Sequence, residues 1–195
     1  MMTGTKQPCK ALELVRMAVS KVYRQGKLYP KYFDINKTVM VIGGGITGIQ
    51  TALDIANGGR KVILVEKEAS IGGKMAQLDK TFPTIDCSAC ILSPKMVDVG
   101  THENIELLTN SEVVKLEGSV GNFTATIRKK PRYIDLKNCT SCGDCEKVCP
   151  VTIPNRYEVG IADRKAISKM FAQAVPSAYN IHKRGKAPCR SSCPC

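Results

Sequence analysis

Leu12, Val15, Val19 and Val22 recur at helical spacing over residues 10–25, and Gly26 supplies a stop, so the first element is an amphipathic helix. A proline-containing connector over residues 29–37 leads to an unbroken apolar run at 38–42, the signature of a strand buried on both faces. Glycines at 43–48 turn the chain into a helix over 46–57, which ends at Gly58 and Gly59. A second buried strand, from Lys61 to Val65, then completes a βαβ unit. From residue 104 the pattern changes to short extended runs at 105–108, 112–116 and 123–129, with Gly118 and Gly121 between the last two. The alternation at Thr124, Ala125, Thr126 and Ile127 predicts a small antiparallel meander. A cysteine cluster and a proline-punctuated tail follow Pro131. The class is α/β, in three parts: an N-terminal helix and connector (1–36), a Rossmann-like portion (37–130) and a cysteine-bearing segment (131–195).

Ten cysteines without an export signal point to a reducing, cytoplasmic compartment and to metal ligation rather than disulfides. No apolar run approaches the roughly 18 residues of a membrane span, so no membrane role is expected. The net charge of +12 sits at the ends. Residues 1–36 carry seven Lys/Arg against Glu13 and Asp34, residues 150–195 carry eight against Glu158 and Asp163, and the centre is nearly neutral. With no zinc-finger or RNA-binding signature and no aromatic interleaving, nucleic acid is not the expected partner. Anionic cofactors or an acidic partner protein account for the charge.

Gly43, Gly45 and Gly48 form G-x-G-x-x-G between strand and helix, and Glu66 ends the next strand. The glycines allow a tight turn, close approach of backbone to a pyrophosphate and close helix packing. The helix N-terminus supplies amide donors, and Glu66 an acceptor for a ribose hydroxyl. Alone this motif is weak, since glycine-rich turns also occur for packing. The continuation from Glu66 to Gly72 and Gly73 resembles the E-x5-G-G stretch of the two-dinucleotide-binding flavoproteins, which favours FAD over NAD.

Cys139-x2-Cys142-x2-Cys145-x3-Cys149-Pro150 reproduces the bacterial ferredoxin run for a 4Fe-4S cluster. Structural zinc more naturally uses two separated pairs. Cys189-x3-Cys193-Pro194 matches only the last half of such a run. Two arrangements stay open: one cluster on the four contiguous cysteines, or Cys193 completing the cluster of Cys139, Cys142 and Cys145, with Cys149 and Cys189 left to an incomplete second site. Cys87-x2-Cys90 reads equally as further cluster ligands or a redox dithiol and as a pair of buried small residues. Cys9, His102 and His182 are expected at the surface, and Lys74, Lys95, Met75 and Met96 in no catalytic arrangement.

The stretches Gly72-Gly73-Lys74-Met75-Ala76-Gln77-Leu78-Asp79-Lys80-Thr81-Phe82-Pro83-Thr84, Asp86-Cys87-Ser88-Ala89-Cys90-Ile91-Leu92 and Pro94-Lys95-Met96 resemble the A-type iron-sulfur subunit of heterodisulfide reductase. The resemblance runs from about residue 11 into the cysteine tail. It implies a thioredoxin-reductase-like FAD domain interrupted by an inserted bacterial-type ferredoxin segment of α+β type. It also implies partner subunits of the heterodisulfide reductase type, a hydrogenase or formate-oxidising electron donor, ferredoxin as acceptor, and flavin-based bifurcation. Against that family the chain is expected to be partial, without the N-terminal cluster domain, the return to the FAD fold or the C-terminal two-cluster ferredoxin. The expected function is an oxidoreductase module passing electrons between FAD and a 4Fe-4S cluster, with no acid, base or nucleophile required. The glutamate synthase small subunit is a weaker match, because there the clusters precede the glycine-rich strand. The non-enzyme alternative is a ferredoxin-like cluster carrier, or a truncated non-catalytic fragment, that holds no FAD.

Overall fold

The computed structural model describes residues 7–30 and 32–182. It divides into two compact units, residues 1–34 and residues 35–195. The described part of the first unit is helix α1, Gln7–Arg24, with Lys21 and Arg24 in its last turn. Its apolar stripe is exposed at Leu12, Val15, Val19 and Val22.

In the second unit, β1 (Val39–Ile42), β2 (Val62–Val65) and β5 (Ile105–Leu108) form a three-stranded parallel sheet in the order β1-β2-β5. Helices α2 (Ile46–Asn57) and α3 (Ser88–Thr101) are the two crossovers. Parallel neighbours need such crossovers, and a helix is the usual one. Ile49, Ala52, Leu53 and Ala56 of α2, Leu92, Met96 and Val99 of α3, and Val62, Leu64 and Ile71 make one buried core. Between β2 and α3 lie a short 3₁₀ turn at Gly73–Gln77 and a two-strand ribbon, β3 (Lys80–Thr81) with β4 (Asp86–Cys87).

The expected three-run meander is corrected. β6 (Ser111–Ser119) and β7 (Asn122–Lys129) form an antiparallel hairpin, whereas β5 pairs in parallel with β2, Val62 facing Ile105 and Val65 facing Leu108. The physical reason is α3, which was not foreseen: it carries the chain back along the sheet, so the run after it must lie parallel to β2. The hairpin register shifts between Val113 and Lys115, leaving Val114 as a bulge.

The cysteine-bearing segment has little regular structure. It contains the single-turn helix α4 (Asp144–Lys147), the pair β8 (Thr152–Pro154) with β9 (Asp163–Lys165), and the pair β10 (Ile167–Ser168) with β11 (Asn180–Ile181). Its own small core is Cys149, Ala166, Ile167 and Tyr179, with Cys139 and Cys145 packed against it.

Candidate cofactor sites

Helix α2 is preceded by Gly45, whose backbone is extended and which offers no side-chain cap. A Cβ added at Gly43 or Gly45 would meet nothing within 4 Å, whereas one at Gly48 would stand 1.9 Å from the Gly43 carbonyl oxygen. Two glycines therefore leave open space beside the helix N-terminus, and the third brings helix and strand into contact. The uncapped end, with its amides and positive dipole, suits a phosphate. Gly72 donates its N–H to the Gly44 carbonyl at 2.7 Å, and the two backbones bridge in parallel at Gly45 and Gly72. A Cβ at Gly73 would lie 3.0 Å from Gly45 Cα. The E-x5-G-G stretch thus closes over the glycine turn.

Glu66, 7% exposed, lies just beyond the end of β2. Its Oε2 accepts from the Gly44 amide at 2.6 Å and its Oε1 from the Glu68 amide at 2.9 Å. The carboxylate thereby fixes the turn and keeps lone pairs for a further donor. A cavity of about 390 Å³ opens here, lined by Ile42, Gly43, Glu66, Lys67 and the hairpin residues Val113 and Val114, among others. Open backbone, a buried acceptor and an apolar wall fit the adenosine and pyrophosphate end of a flavin dinucleotide. The hairpin's share was not read from the sequence, because only the pairing of β6 and β7 places the Val114 bulge beside the turn.

In the cysteine segment, Cys139, Cys142 and Cys145 border a cavity of about 420 Å³, together with Ile134, Val148 and Tyr179. Among the described residues no three His, Cys, Asp or Glu side chains converge where one metal ion could sit. Three thiols spread around an apolar cavity suit a polynuclear cluster, whose irons are separate points of attachment, better than a single zinc ion. Cys149 does not line that cavity; it is buried, its thiol 3.6 Å from the Val151 carbonyl. Cys193 lies outside the described residues. Tyr179 donates its hydroxyl to Glu146 at 3.0 Å, and burial, reinforced by that carboxylate, pushes its pKa up to about 12, so it stays protonated beside the thiols.

Cys87 and Cys90 are joined in a disulfide with Cα atoms 5.3 Å apart, and both are exposed, so the reading as buried small residues is corrected. Cys87 caps α3, its sulfur accepting from the Cys90 amide. The two histidines also differ from expectation. His102 is half-buried and its Nδ1 accepts from the Asn104 amide at 3.0 Å, while His182 is half-buried beside Arg164. His102 also lies 3.3 Å from Asn57 Oδ1, and His182 meets Arg164 eighteen residues away, contacts that spacing alone does not reveal. Lys95 donates to Gln50 and ties α3 to α2.

The cysteine segment is fastened to the stretch that closes the glycine turn. Ser70 Oγ accepts from the Val175 amide at 2.9 Å, and Ile71 donates to the Val175 carbonyl at 3.1 Å. Arg132 donates to the Ala69 carbonyl at 2.6 Å and to Thr109 Oγ1 at 2.9 Å. Phe171 packs against the core of the parallel sheet and stacks on Tyr157, whose hydroxyl donates to the Ala76 carbonyl. No helix among the described residues is long and apolar enough to cross a membrane.

The family described as FAD dependent oxidoreductase matches residues 38–86, and that described as 4Fe-4S binding domain matches residues 130–151. The chain is 58% identical over 172 residues to the second A-type iron-sulfur subunit of CoB–CoM heterodisulfide reductase in Methanopyrus kandleri, covering 88% of this chain and 26% of that protein. It is 54% identical over 174 residues to the A-type subunit of the H(2):CoB-CoM heterodisulfide,ferredoxin reductase of Methanothermobacter thermautotrophicus, covering 89% of this chain and 26% of that protein. Among solved structures, T. acidophilum thioredoxin reductase aligns with 47% of this chain and 31% of its own, at 16% identity and a TM-score of 0.40. The chain spans about a quarter of the length of the relatives it matches. An FAD oxidoreductase segment followed by a 4Fe-4S segment, in a chain more than half identical to these proteins, places it in the family of A-type heterodisulfide reductase subunits, as the counterpart of about a quarter of one such polypeptide.

Proposed function

We propose that the chain is an electron-transfer module in which a Rossmann-type portion, residues 37–130, holds one end of FAD and a ferredoxin-type segment, residues 131–195, holds a 4Fe-4S cluster. Gly43, Gly45 and Gly48 present the backbone to the pyrophosphate, Glu66 accepts from the ribose, and Gly72 and Gly73 press the following stretch onto the turn. Cys139, Cys142 and Cys145 supply three cluster ligands. The position of Cys149 outside their cavity favours Cys193 as the fourth. When bound, the flavin takes up electrons in pairs and the cluster carries them singly. The chain's own residues bind, orient and insulate.

The observation that carries this reading is the fastening of the cysteine segment, through Ser70, Ile71 and Val175, to the stretch that covers the glycine turn. A cluster carrier with no flavin to serve has no need of that attachment. By analogy with the relatives' names, we place the module in a complex with other heterodisulfide reductase-type subunits, in the cytoplasm. Electrons would come from a hydrogenase or a formate-oxidising enzyme, and ferredoxin would be one acceptor.

The test is anaerobic purification followed by flavin, iron and acid-labile sulfide assays on one sample. Stoichiometric FAD with about four irons per chain is expected. Iron without FAD would reduce the chain to a cluster carrier.

A further inference from the structure

A third cavity, polar and of about 530 Å³, lies between the end of β2 and the cysteine segment. Its walls include Lys67, Glu68, Arg156, Arg164, Asn180 and His182. It shares Lys67 and Glu112 with the cavity at Glu66 but contains neither a glycine of the turn nor a cysteine.

The charges on this wall are unbalanced. Glu112 is already paired with Arg128 and Lys130. Among the described residues, Lys67, Arg156 and Arg164 have no carboxylate within ion-pair distance. Glu68 is the one further carboxylate lining the cavity, so three cations face one anion and two positive charges remain. Arg164 is half-buried and its Nε is buried without a partner. Its other contacts are to neutral groups: Nη2 donates to His182 Nε2 at 3.0 Å, and Nη1 lies 3.8 Å from the Met170 sulfur. His182 accepts that bond because burial, then the neighbouring arginines, lower its pKa to about 4. A guanidinium withdrawn from water is costly unless an anion meets it, and its planar fork suits oxyanions. Asn180, 5% exposed, is held by the Asn110 amide at 3.3 Å and completes a fixed polar floor.

We propose that this cavity binds a small molecule carrying a phosphate monoester, seated as a dianion against Arg164 and Arg156. A phosphate monoester carries close to two negative charges at neutral pH, which matches the residual charge, and it offers several acceptor oxygens to the two guanidinium groups. The cavity exceeds a bare phosphate and leaves room for the organic remainder. Because it lies apart from the glycine turn and from the thiols, its failure would leave the flavin and cluster reading intact.

Calorimetric titration of the flavin- and iron-loaded protein with inorganic phosphate in low-chloride buffer tests this. Saturable one-site binding is expected. It should weaken by about tenfold or more in Arg156→Gln and in Arg164→Gln, as loss of a charge-assisted bond requires. It should tighten several-fold in Glu68→Gln, with FAD and iron contents unchanged in every variant. Arg156 is exposed, so its variant keeps the test decisive should Arg164→Gln misfold. Absence of binding in the tens of millimolar, binding indifferent to Arg156→Gln, or succinate binding as tightly as phosphate would each overturn the assignment.

Discussion

The two cofactor regions are built on opposite terms. The glycine turn rests on a core of Ile49, Leu64, Ile71, Leu92 and Met96, all 1% exposed or less, and none of these lines the cavity at Glu66. Among the described residues, the cysteine segment's own core cluster has four buried members, one of them Cys149, and two of the thiols facing the cluster cavity pack against it. The first region gains its order from apolar burial and can wait for its ligand. The second has a smaller core, leans on the first through Phe171 and Val175, and uses cysteines that face the cluster cavity as part of its packing.

That contrast predicts unequal responses to ligand loss. Cys142→Ser, which removes an exposed thiol at the cluster cavity, should reduce iron from about four per chain to near zero. It should also make amides of residues 139–182 exchange rapidly, while α2, β2 and α3 remain protected; uniform loss of protection across both regions would break the comparison. Gly48→Ala attacks the other side. Its Cβ would stand 1.9 Å from the Gly43 oxygen, a collision with backbone that should cost about 3 kcal/mol and abolish FAD retention while iron is kept. Glu66→Gln is milder. One of the two amides now bonded to the carboxylate would face an NH₂ group, so a loss of about 1–3 kcal/mol in thermal or urea unfolding is expected, with weaker flavin binding.

The same division governs what was legible in the sequence. The glycine turn and the spacing of Cys139, Cys142 and Cys145 are local patterns, and Glu66 reaches the turn through the β1–β2 pairing that the βαβ pattern predicts. Helix α3 was missed although Leu92, Met96 and Val99 carry its buried stripe, since the Cys87–Cys90 pair and Pro94 mask the periodicity. Without α3 the direction of β5 could not be foreseen, and the run at 105–108 joined the wrong sheet. The Val114 bulge at the flavin cavity and the bonds from Val175 to Ser70 and Ile71 depend on pairings across many residues, which no spacing rule encodes. His182 belongs to this class, its environment being set by arginines distant in sequence.

His182 also sharpens the comparison by acid, because it lies in the weakly cored region. Burial is the main cause of its shift to about 4, with Arg164, Arg156 and Arg132 adding to it, against an ordinary value near 6.5. The folded chain therefore binds this proton less tightly than the unfolded chain. Stability is fully present above about pH 6.5 and is lost progressively as pH falls toward about 4. Full linkage would amount to about 3 kcal/mol, and since the imidazole is only partly buried we expect about 1–2 kcal/mol. Urea unfolding of the cysteine segment, followed by amide exchange at pH 7.0 and 5.5, should show part of this loss, below about 1 kcal/mol, in the wild type and a flatter profile in His182→Gln, which cannot acquire the proton. An equal pH slope in the two proteins, or a loss confined to α2 and β2, would remove His182 as the acid-sensitive point and weaken the claim that the cysteine segment is the less self-sufficient of the two regions.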